Sequence, residues 1–496
     1  MECNKAVSCA EPFQSHYSRI PGATKGDASE RRTETGRCRI VTKRVKILIL
    51  SASYGEGHQQ AATAIRDAIG TECPEAEAVI VDYIRAMHPT LDSIAKYCYL
   101  QSVRFAPMLY GWFYNGTSQI APSSLVQRQL NSIGLNGLDE LLRREAPDVV
   151  LCTFPTPAGV ASHLKQLRRT NVPLATVITD HAVHSQWIHP HTDLYFVGSH
   201  PVKAGLMKRG VAARAIKVTG IPLRSTFFDS ADDGTDRATV KRHYGLNPAL
   251  PTLLIMGGGY GVLGEIESIV DDLLSGAGDK RPVGGEGLPG RGLVRGKLAL
   301  PSGMQRLSEM PLSSGMPPLM PPLQILVVTG RNERLRAQLE AMLADRPTQW
   351  RQRVRVFGFI DAIAELMAVS DLMLTKAGGL TVSEGLASQL PMVLYRPIPG
   401  QEVQNARFLV RSGAAVLAES QADVVRHVRD LLLWRPALRA DMQQQAARVR
   451  KLHASREIAR EVIALAERGR AENRPGHDLR MGPASPQSSK TAWDIG

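Results

Sequence analysis

The chain has 496 residues, with 60 Lys+Arg against 47 Asp+Glu for a formal net charge of +13, and 43% hydrophobic residues. That length exceeds what one hydrophobic core usually serves, and that apolar content excludes a wholly disordered, collagen-like or disulfide-stapled chain. No apolar run approaches the ~20 residues of a membrane-spanning helix, and the opening MECNKAVSCAEPFQ has no apolar signal region, so the expected compartment is the cytoplasm. The segment 1–44 reads as a disordered basic tail, and order is expected from Val45. Val45–Leu50 is a short β-rich run of the kind buried on both faces. His58–Ile69 then carries apolar positions at helical spacing (Ala61, Ala64, Ile65, Ala68). Strands follow at Val79–Val81, Val149–Cys152, Leu174–Ile178, Leu194–Val197 and Ile216–Thr219, alternating with helical patterns, which predicts parallel βαβ units over 45–230. Between them, Ala95–Gly116 concentrates Tyr97, Tyr99, Phe105, Tyr110, Trp112, Phe113 and Tyr114 beside Lys96 and Arg104. That mixture suits either a membrane interface or a helix packed in the first domain.

A second α/β series runs over 231–468, with strands at Thr252–Met256, Gln324–Val328, Val354–Val356, Leu372–Leu374 and Met392–Leu394. It is interrupted at 276–322, where Gly and Pro are dense and no periodicity survives, so a disordered insertion is expected. Met442–Arg468 reads as a terminal helix and 469–496 as a disordered tail. Residues 1–46 carry ten basic and five acidic side chains, and residues 279–322 six and three, so much of the positive charge lies outside the predicted domains. This, with no RNA- or DNA-binding signature, argues against nucleic acid and fits a soluble enzyme that touches an anionic surface. The six cysteines have no C-x-x-C pair and read as reduced structural thiols.

Chemistry is expected where strands end. The turn Ser51–His58 has glycines at Gly55 and Gly57 between a strand and a helix, and His58 there has a side chain suited to general-base work. Thr375–Glu384 is the stronger candidate. Amides of Gly378, Gly379 and Leu380, with the Thr381 hydroxyl, sit at a helix start and can hold a diphosphate, while Glu384 one turn further can accept from a ribose diol. No Walker A loop occurs. Met256–Gly261 and Pro399–Asn405 follow strands in the same way and point at the same crevice, the latter offering amides and a carboxylate for sugar hydroxyls. The four histidines of Thr179–His191 lack H-E-x-x-H spacing, so a cleft-lining loop is expected and no metal.

The stretches TDHAVHSQW, KVTGIPLRSTF, LLIMGGGYGVL, VVTGRNE, LTKAGGLTVSEGLA and PIPGQEVQNA together resemble the lipid-sugar glycosyltransferases that include processive diacylglycerol glucosyltransferase and monogalactosyldiacylglycerol synthase. A more distant likeness is to the peptidoglycan transferase acting on lipid I. The resemblance implies a GT-B fold, two Rossmann-like domains facing each other across a cleft, with the UDP-sugar mainly on the second and the lipid acceptor on the first. By position it implies His58 as base, Gly258 and Arg331 as UDP contacts, and Phe359 and Ile360 against the uracil. It implies Gly378, Gly379 and Thr381 on the diphosphate, Glu384 on the ribose, and Gln401, Gln404 and Asn405 at the hexose. Asp180 and His184 match on the acceptor side, and Pro107 matches a proline near an anionic-lipid contact, with Trp112 and Phe113 beside it. The implied reaction is inverting transfer of glucose or galactose to diacylglycerol, without a cofactor, by a protein peripheral to the inner face of the cell membrane. Another UDP-sugar enzyme on this scaffold, a lipid I-type transferase or an epimerase, is the alternative. Many members carry a more glycine-rich first turn, often with Asp, where this chain has Ala52 and Glu56.

Overall fold

The computed structural model describes residues 44–53, 56–87, 116–117, 124–229, 236–259, 261, 263–275 and 323–472, within one compact unit spanning Lys43–Gly496. The expected basic tail, the aromatic segment up to Asn115, the insertion 276–322 and the tail beyond Glu472 lie outside the described residues.

Twelve described strands form two sheets, each of six parallel strands. The first holds β1 (Lys46–Ser51), β2 (Glu77–Asp82), β3 (Val149–Cys152), β4 (Leu174–Val177), β5 (Leu194–Val197) and β6 (Ile216–Val218), in the order β2-β1-β3-β4-β5-β6. The second holds β7 (Thr252–Met256), β8 (Gln324–Val328), β9 (Val354–Phe357), β10 (Leu372–Thr375), β11 (Met392–Tyr395) and β12 (Ala415–Ala418), in the order β12-β11-β10-β7-β8-β9. β12 escaped the sequence reading because Ala415-Val416-Leu417-Ala418 is too short and too alanine-rich to stand out.

The inner strands are mainly apolar because both faces of each sheet are covered, while charged residues such as Glu77, Lys217 and Arg355 fall on strands at the sheet edges. In β1, Ile47 and Ile49 enter one core while Leu48 and Leu50 enter the other, as a two-residue side-chain period requires. In β7, Leu253 and Ile255 separate in the same way from Leu254 and Met256. Leu48 pairs with Val79 on one side and Val150 on the other, so β1, second in its sheet, is the strand at which the connections change direction. β7 is the corresponding strand in the second sheet, between β10 and β8. Ligands of open α/β sheets bind outside the carboxyl ends of strands at such reversals.

The C-terminal helix differs from expectation in two ways. Met442–Arg468 is not one helix but parts of two, Pro436–Val449 and Ala454–Glu472, separated where Arg450 turns extended. No Pro or Gly marks the break. It is set by chain routing: the connection passes Gly220, where a Cβ would stand 2.4 Å from Lys451 Cβ, and Ser455 Oγ donates to Leu223 O at 2.7 Å. The second helix therefore packs on the first sheet, with Ile458, Ala459, Val462, Leu465 and Ala466 in the core of Ile47, Ile49 and Ile65. It also runs four residues past the expected end of order. Gly469 lies against Pro173, and Arg470 pairs with Asp148.

Candidate active site

The turns after β1, β4, β7, β10 and β11 converge on one cleft between the two sheets. From the first half it is lined by Glu56, Gly57, His58, Gln60, Thr179 and Asp180. From the second come Met256–Gly259, Lys376, Gly378–Thr381, Glu384, Gln401 and Glu402.

On the second half, β10 ends in a turn whose residue Gly378 caps the helix Gly379–Ala387 without any side-chain cap. Helix geometry leaves the amides of Gly379, Leu380 and Thr381 without intrahelical acceptors, and they gather at the positive end of the helix dipole. The Gly378 amide, expected to face a ligand, instead donates to Lys376 O at 2.9 Å, so the turn itself uses it. Glu384 is buried one turn inside, and burial pushes its carboxyl up to about 7 while the charge of Arg224 opposes the shift. Lys376 holds Glu402 at 3.2 Å, and the Ile398 amide donates to the other oxygen of Glu402 at 2.9 Å. Gly258, at φ +74°, gives the turn after β7 a left-handed kink, and Gly330 comes so close to it that a Cβ would stand 2.4 Å from Gly259 O. Phe359 is exposed, with the Arg331 guanidinium 4.6 Å from its ring centre, and half-buried Ile360 lines the cleft beside it.

On the first half, His58 stands in the first turn of helix Glu56–Glu72. Its ring meets the edge of Phe154 at 5.2 Å, and its Nδ1 lies 3.0 Å from Thr179 Oγ1. Desolvation lowers its pKa to about 4, against a hydrogen bond that the ring donates to the Thr153 backbone, so the ring is neutral at pH 7. Burial raises Asp180 to about 6, opposed by a hydrogen bond from Asn405 and reinforced by Glu402. With Glu384 shifted to about 7, the cleft carries less negative charge at neutral pH than its formal count.

The structure thus brings His58, Asp180, Gly258, Phe359, Ile360, Gly378, Gly379, Thr381, Glu384 and Gln401 together. Four expected contacts sit elsewhere. Asn405 is fully buried: its Oδ1 accepts from His181 N at 2.7 Å, and its Nδ2 donates to Ala377 O at 2.9 Å and to Asp180 Oδ1 at 3.0 Å. It is an internal strut and does not face a hexose. Gln404 is exposed, because its place on helix Gln401–Ser412 points away from the cleft. His184 caps the short helix Ser185–Trp187, its Nδ1 accepting from Gln186 N at 3.2 Å, and it lies outside the lining. Arg331 reaches across to Glu56, with Nε 3.0 Å from Oε1, at the margin of the cleft. Pro107, Trp112 and Phe113 lie outside the described residues.

The histidines of 179–191 go separate ways: His181 stacks on Phe408 at 4.2 Å, His184 caps, His189 is buried, and the His191 backbone amide donates to Ser162 Oγ at 3.1 Å. Among the described residues no three His, Cys, Asp or Glu side chains group to hold a metal ion. Thr179, Arg224 and Lys376 belong to the cleft but were not singled out. All three lie in stretches that carry the family resemblance, but only the rule that strand ends face the crevice points to the first and last individually, and Arg224, on the connection after β6, has no local pattern that marks it.

Two solved structures share this arrangement. The S. aureus MnaA–UDP structure matches with a TM-score of 0.51 at 14% identity, covering 86% of this chain and 97% of that one. Acinetobacter baumannii MurG matches with a TM-score of 0.51 at 13% identity, covering 85% and 100%. Two Rossmann-like halves with a glycine-rich cleft between their strand ends define a protein of the GT-B class. Residues 58–223 match the family model of monogalactosyldiacylglycerol (MGDG) synthase, and residues 307–461 that of the glycosyltransferase family 28 C-terminal domain. The processive diacylglycerol beta-glucosyltransferases of Bacillus cereus (strain AH187) and Bacillus thuringiensis (strain Al Hakam) are each 32% identical over 390 residues, 79% of this chain and 86% of the relative. The chain belongs to this family of diacylglycerol glycosyltransferases.

Proposed function

We propose that the chain transfers a hexose, glucose or galactose, from a UDP-sugar to the hydroxyl of diacylglycerol with inversion, giving a β-glycosyl-diacylglycerol. The observation that carries this reading is the placement of a neutral His58 across the cleft from the uncapped helix start at Gly379. The diphosphate takes the amides of Gly379, Leu380 and Thr381, with Lys376 as a cation lining the same cleft and Glu384 on the ribose. Charge that develops on the leaving diphosphate is then met by the helix dipole and an ammonium already in place. His58, with its proton on Nδ1 toward Thr179 Oγ1, keeps a lone pair on Nε2 for the acceptor hydroxyl. An incoming diphosphate adds negative charge near the ring and raises its pKa from the low ligand-free value, strengthening the base when it is needed. Closure of the halves keeps water from the donor.

No helix among the described residues is long and apolar enough to cross a membrane. Removing diacylglycerol from a bilayer exposes acyl chains at about 0.8 kcal/mol per CH₂. The reading therefore has the protein dock on an anionic membrane surface and receive the lipid in place. The test is incubation of the purified protein with diacylglycerol in anionic or neutral vesicles and labelled UDP-glucose or UDP-galactose. A β-linked glycolipid, formed faster on anionic vesicles, is expected. An α-linked product overturns the inverting step, and no transfer from either donor overturns the assignment of substrates.

A further inference from the structure

The two halves come into direct contact beside the cleft. The loop after β4, Thr179-Asp180-His181, sits directly on the start of helix Gly379–Ala387. A Cβ on Gly379 would stand 2.2 Å from Thr179 O and 2.7 Å from Asp180 Oδ1, so this seat exists only because residue 379 is glycine. Among the side chains that cross the seam, one bonds to both halves at three points. Asn405 enters from helix Gln401–Ser412, fully buried, and bonds the His181 amide and the Asp180 carboxylate of the first half and the Ala377 carbonyl of the second. Ala377 immediately precedes the Gly378–Gly379 turn. Thr179, at the other end of the loop, lies 3.0 Å from His58 Nδ1. His181 is held a second time, its Nε2 3.3 Å from Ser383 Oγ and its ring stacked on Phe408.

We propose that Asn405 is a positioning residue: it ties the donor-facing turn at Ala377 to the Thr179–His181 loop, and through Thr179 it fixes the place and tautomer of His58 relative to the donor. This rests on the reading of His58 as base and of the Gly379 helix start as the diphosphate site. An amide suits the task because it both donates and accepts. It presents Nδ2–H to two oxygens, one carbonyl and one carboxylate, and Oδ1 to a backbone N–H. A carboxylate at 405 would face Asp180 with like charge and could not donate until one of the pair took up a proton. The titratable groups around the seam are Asp180 and His181 from the first half, and Glu402, paired with Lys376, from the second.

The experiment compares Asn405→Ala, Asn405→Asp, Thr179→Val and the double variant Asn405→Ala/Thr179→Val in the full chain, by turnover, UDP calorimetry and ¹⁵N NMR of His58. A misplacement of this kind lowers kcat by about 10- to 100-fold while leaving the UDP dissociation constant within about threefold. The double variant is expected to be no worse than the poorer single one, since both cut the same linkage. Asn405→Asp should match Asn405→Ala at pH 8 and regain about tenfold at pH 5.5, where a proton shared with Asp180 restores the donor. His58 should hold one tautomer in the parent and both in Asn405→Ala. Turnover within twofold of the parent, or an Asn405→Asp variant that follows Asn405→Ala at both pH values, overturns the proposal. Where Asn405→Ala does not fold, the acid recovery of near-isosteric Asn405→Asp decides. If the parent transfers no sugar from either UDP-hexose to diacylglycerol, the substrate reading has failed, and the His58 spectra alone decide whether the strut exists.

Discussion

Glu384 illustrates how placement changes a residue's chemistry. Its carboxyl is buried at the floor of the cleft and raised to about 7. As acceptor for both hydroxyls of a ribose diol it is at full capacity only when ionised, because a protonated carboxyl gives up part of its acceptor capacity. UDP-glucose, whose own phosphates do not titrate near neutrality, is therefore expected to bind more weakly as pH falls from 8 to 6. Glu384→Gln should flatten that dependence, and Glu384→Ala should cost about 1–3 kcal/mol of binding, both read by calorimetry. His58→Ala should separate the two halves of the chemistry. Turnover falls by about 10²- to 10⁴-fold with UDP-glucose affinity nearly unchanged, because the ring lies across the cleft from the diphosphate site. A parallel loss of affinity would place His58 on the donor instead. At this scale the glycines and Glu384 were readable because strand–loop–helix spacing places them. The roles of Gln404 and Asn405 were not, since adjacent helix positions point about 100° apart and only packing decides which one meets the cleft.

The helix Ala454–Glu472 shows how much an element's meaning depends on its partner. Its periodicity announces a helix, but nothing in it says that the apolar stripe of Ile458, Val462 and Leu465 belongs to the first sheet and not the second, its neighbour in sequence. Arg456 and Arg460 both pair with Glu72 on helix Glu56–Glu72, which fixes the register of the crossing. Ending the chain at Leu452 would expose one side of the core around Ile47 and Ile65. Each large apolar side chain lost is worth roughly 1.5–3 kcal/mol, so the truncation approaches the whole stability of a domain, about 5–15 kcal/mol. The expected outcome is a protein that melts below growth temperatures or is found only in aggregates. A truncated chain with a cooperative melt near that of the parent would show that the helix is dispensable to the first half.

Across the whole molecule, the ionisable groups shift in opposing directions. Burial lowers His58, His181, His189 and His427 to about 4 in the folded state, from an ordinary value near 6.5, so the stability they contribute is complete above 6.5 and is lost as pH falls through 4. Glu72 and Asp423, lowered by their arginine partners against desolvation, lose their contributions on the same acid side. Asp180 and Glu384, raised to about 6 and about 7, act the other way: their contribution is present at low pH and lost as pH rises through those values. Thermal melts from pH 7.5 to 4 are expected to fall mainly below 6.5. A midpoint that rises on acidification would mean that the two cleft carboxyls outweigh the buried histidines. The cross-cleft pair Glu56–Arg331 enters this balance weakly, because Arg331 is more than half exposed and such pairs contribute about 0–1 kcal/mol.

Local order was already determined by the sequence. Ile47–Leu50 and Leu253–Met256 read as doubly covered strands, since an unbroken apolar run of that length has no face to offer water. The glycines after them marked where backbone must turn sharply and where a ligand can approach. Tertiary structure decided everything that depends on which surfaces meet. It recruited weak Ala415–Ala418 as an edge strand, broke the chain at Arg450 without a breaker residue, and returned the last helix to the first sheet. It also turned Asn405 from a sugar contact into a buried strut and drew Thr179, Arg224 and Lys376 into the cleft. The physical reason is range: a strand or turn is specified by neighbours a few residues away, whereas the cleft is assembled from side chains as far apart as His58 and Glu402, whose proximity is set by the packing of two separate cores.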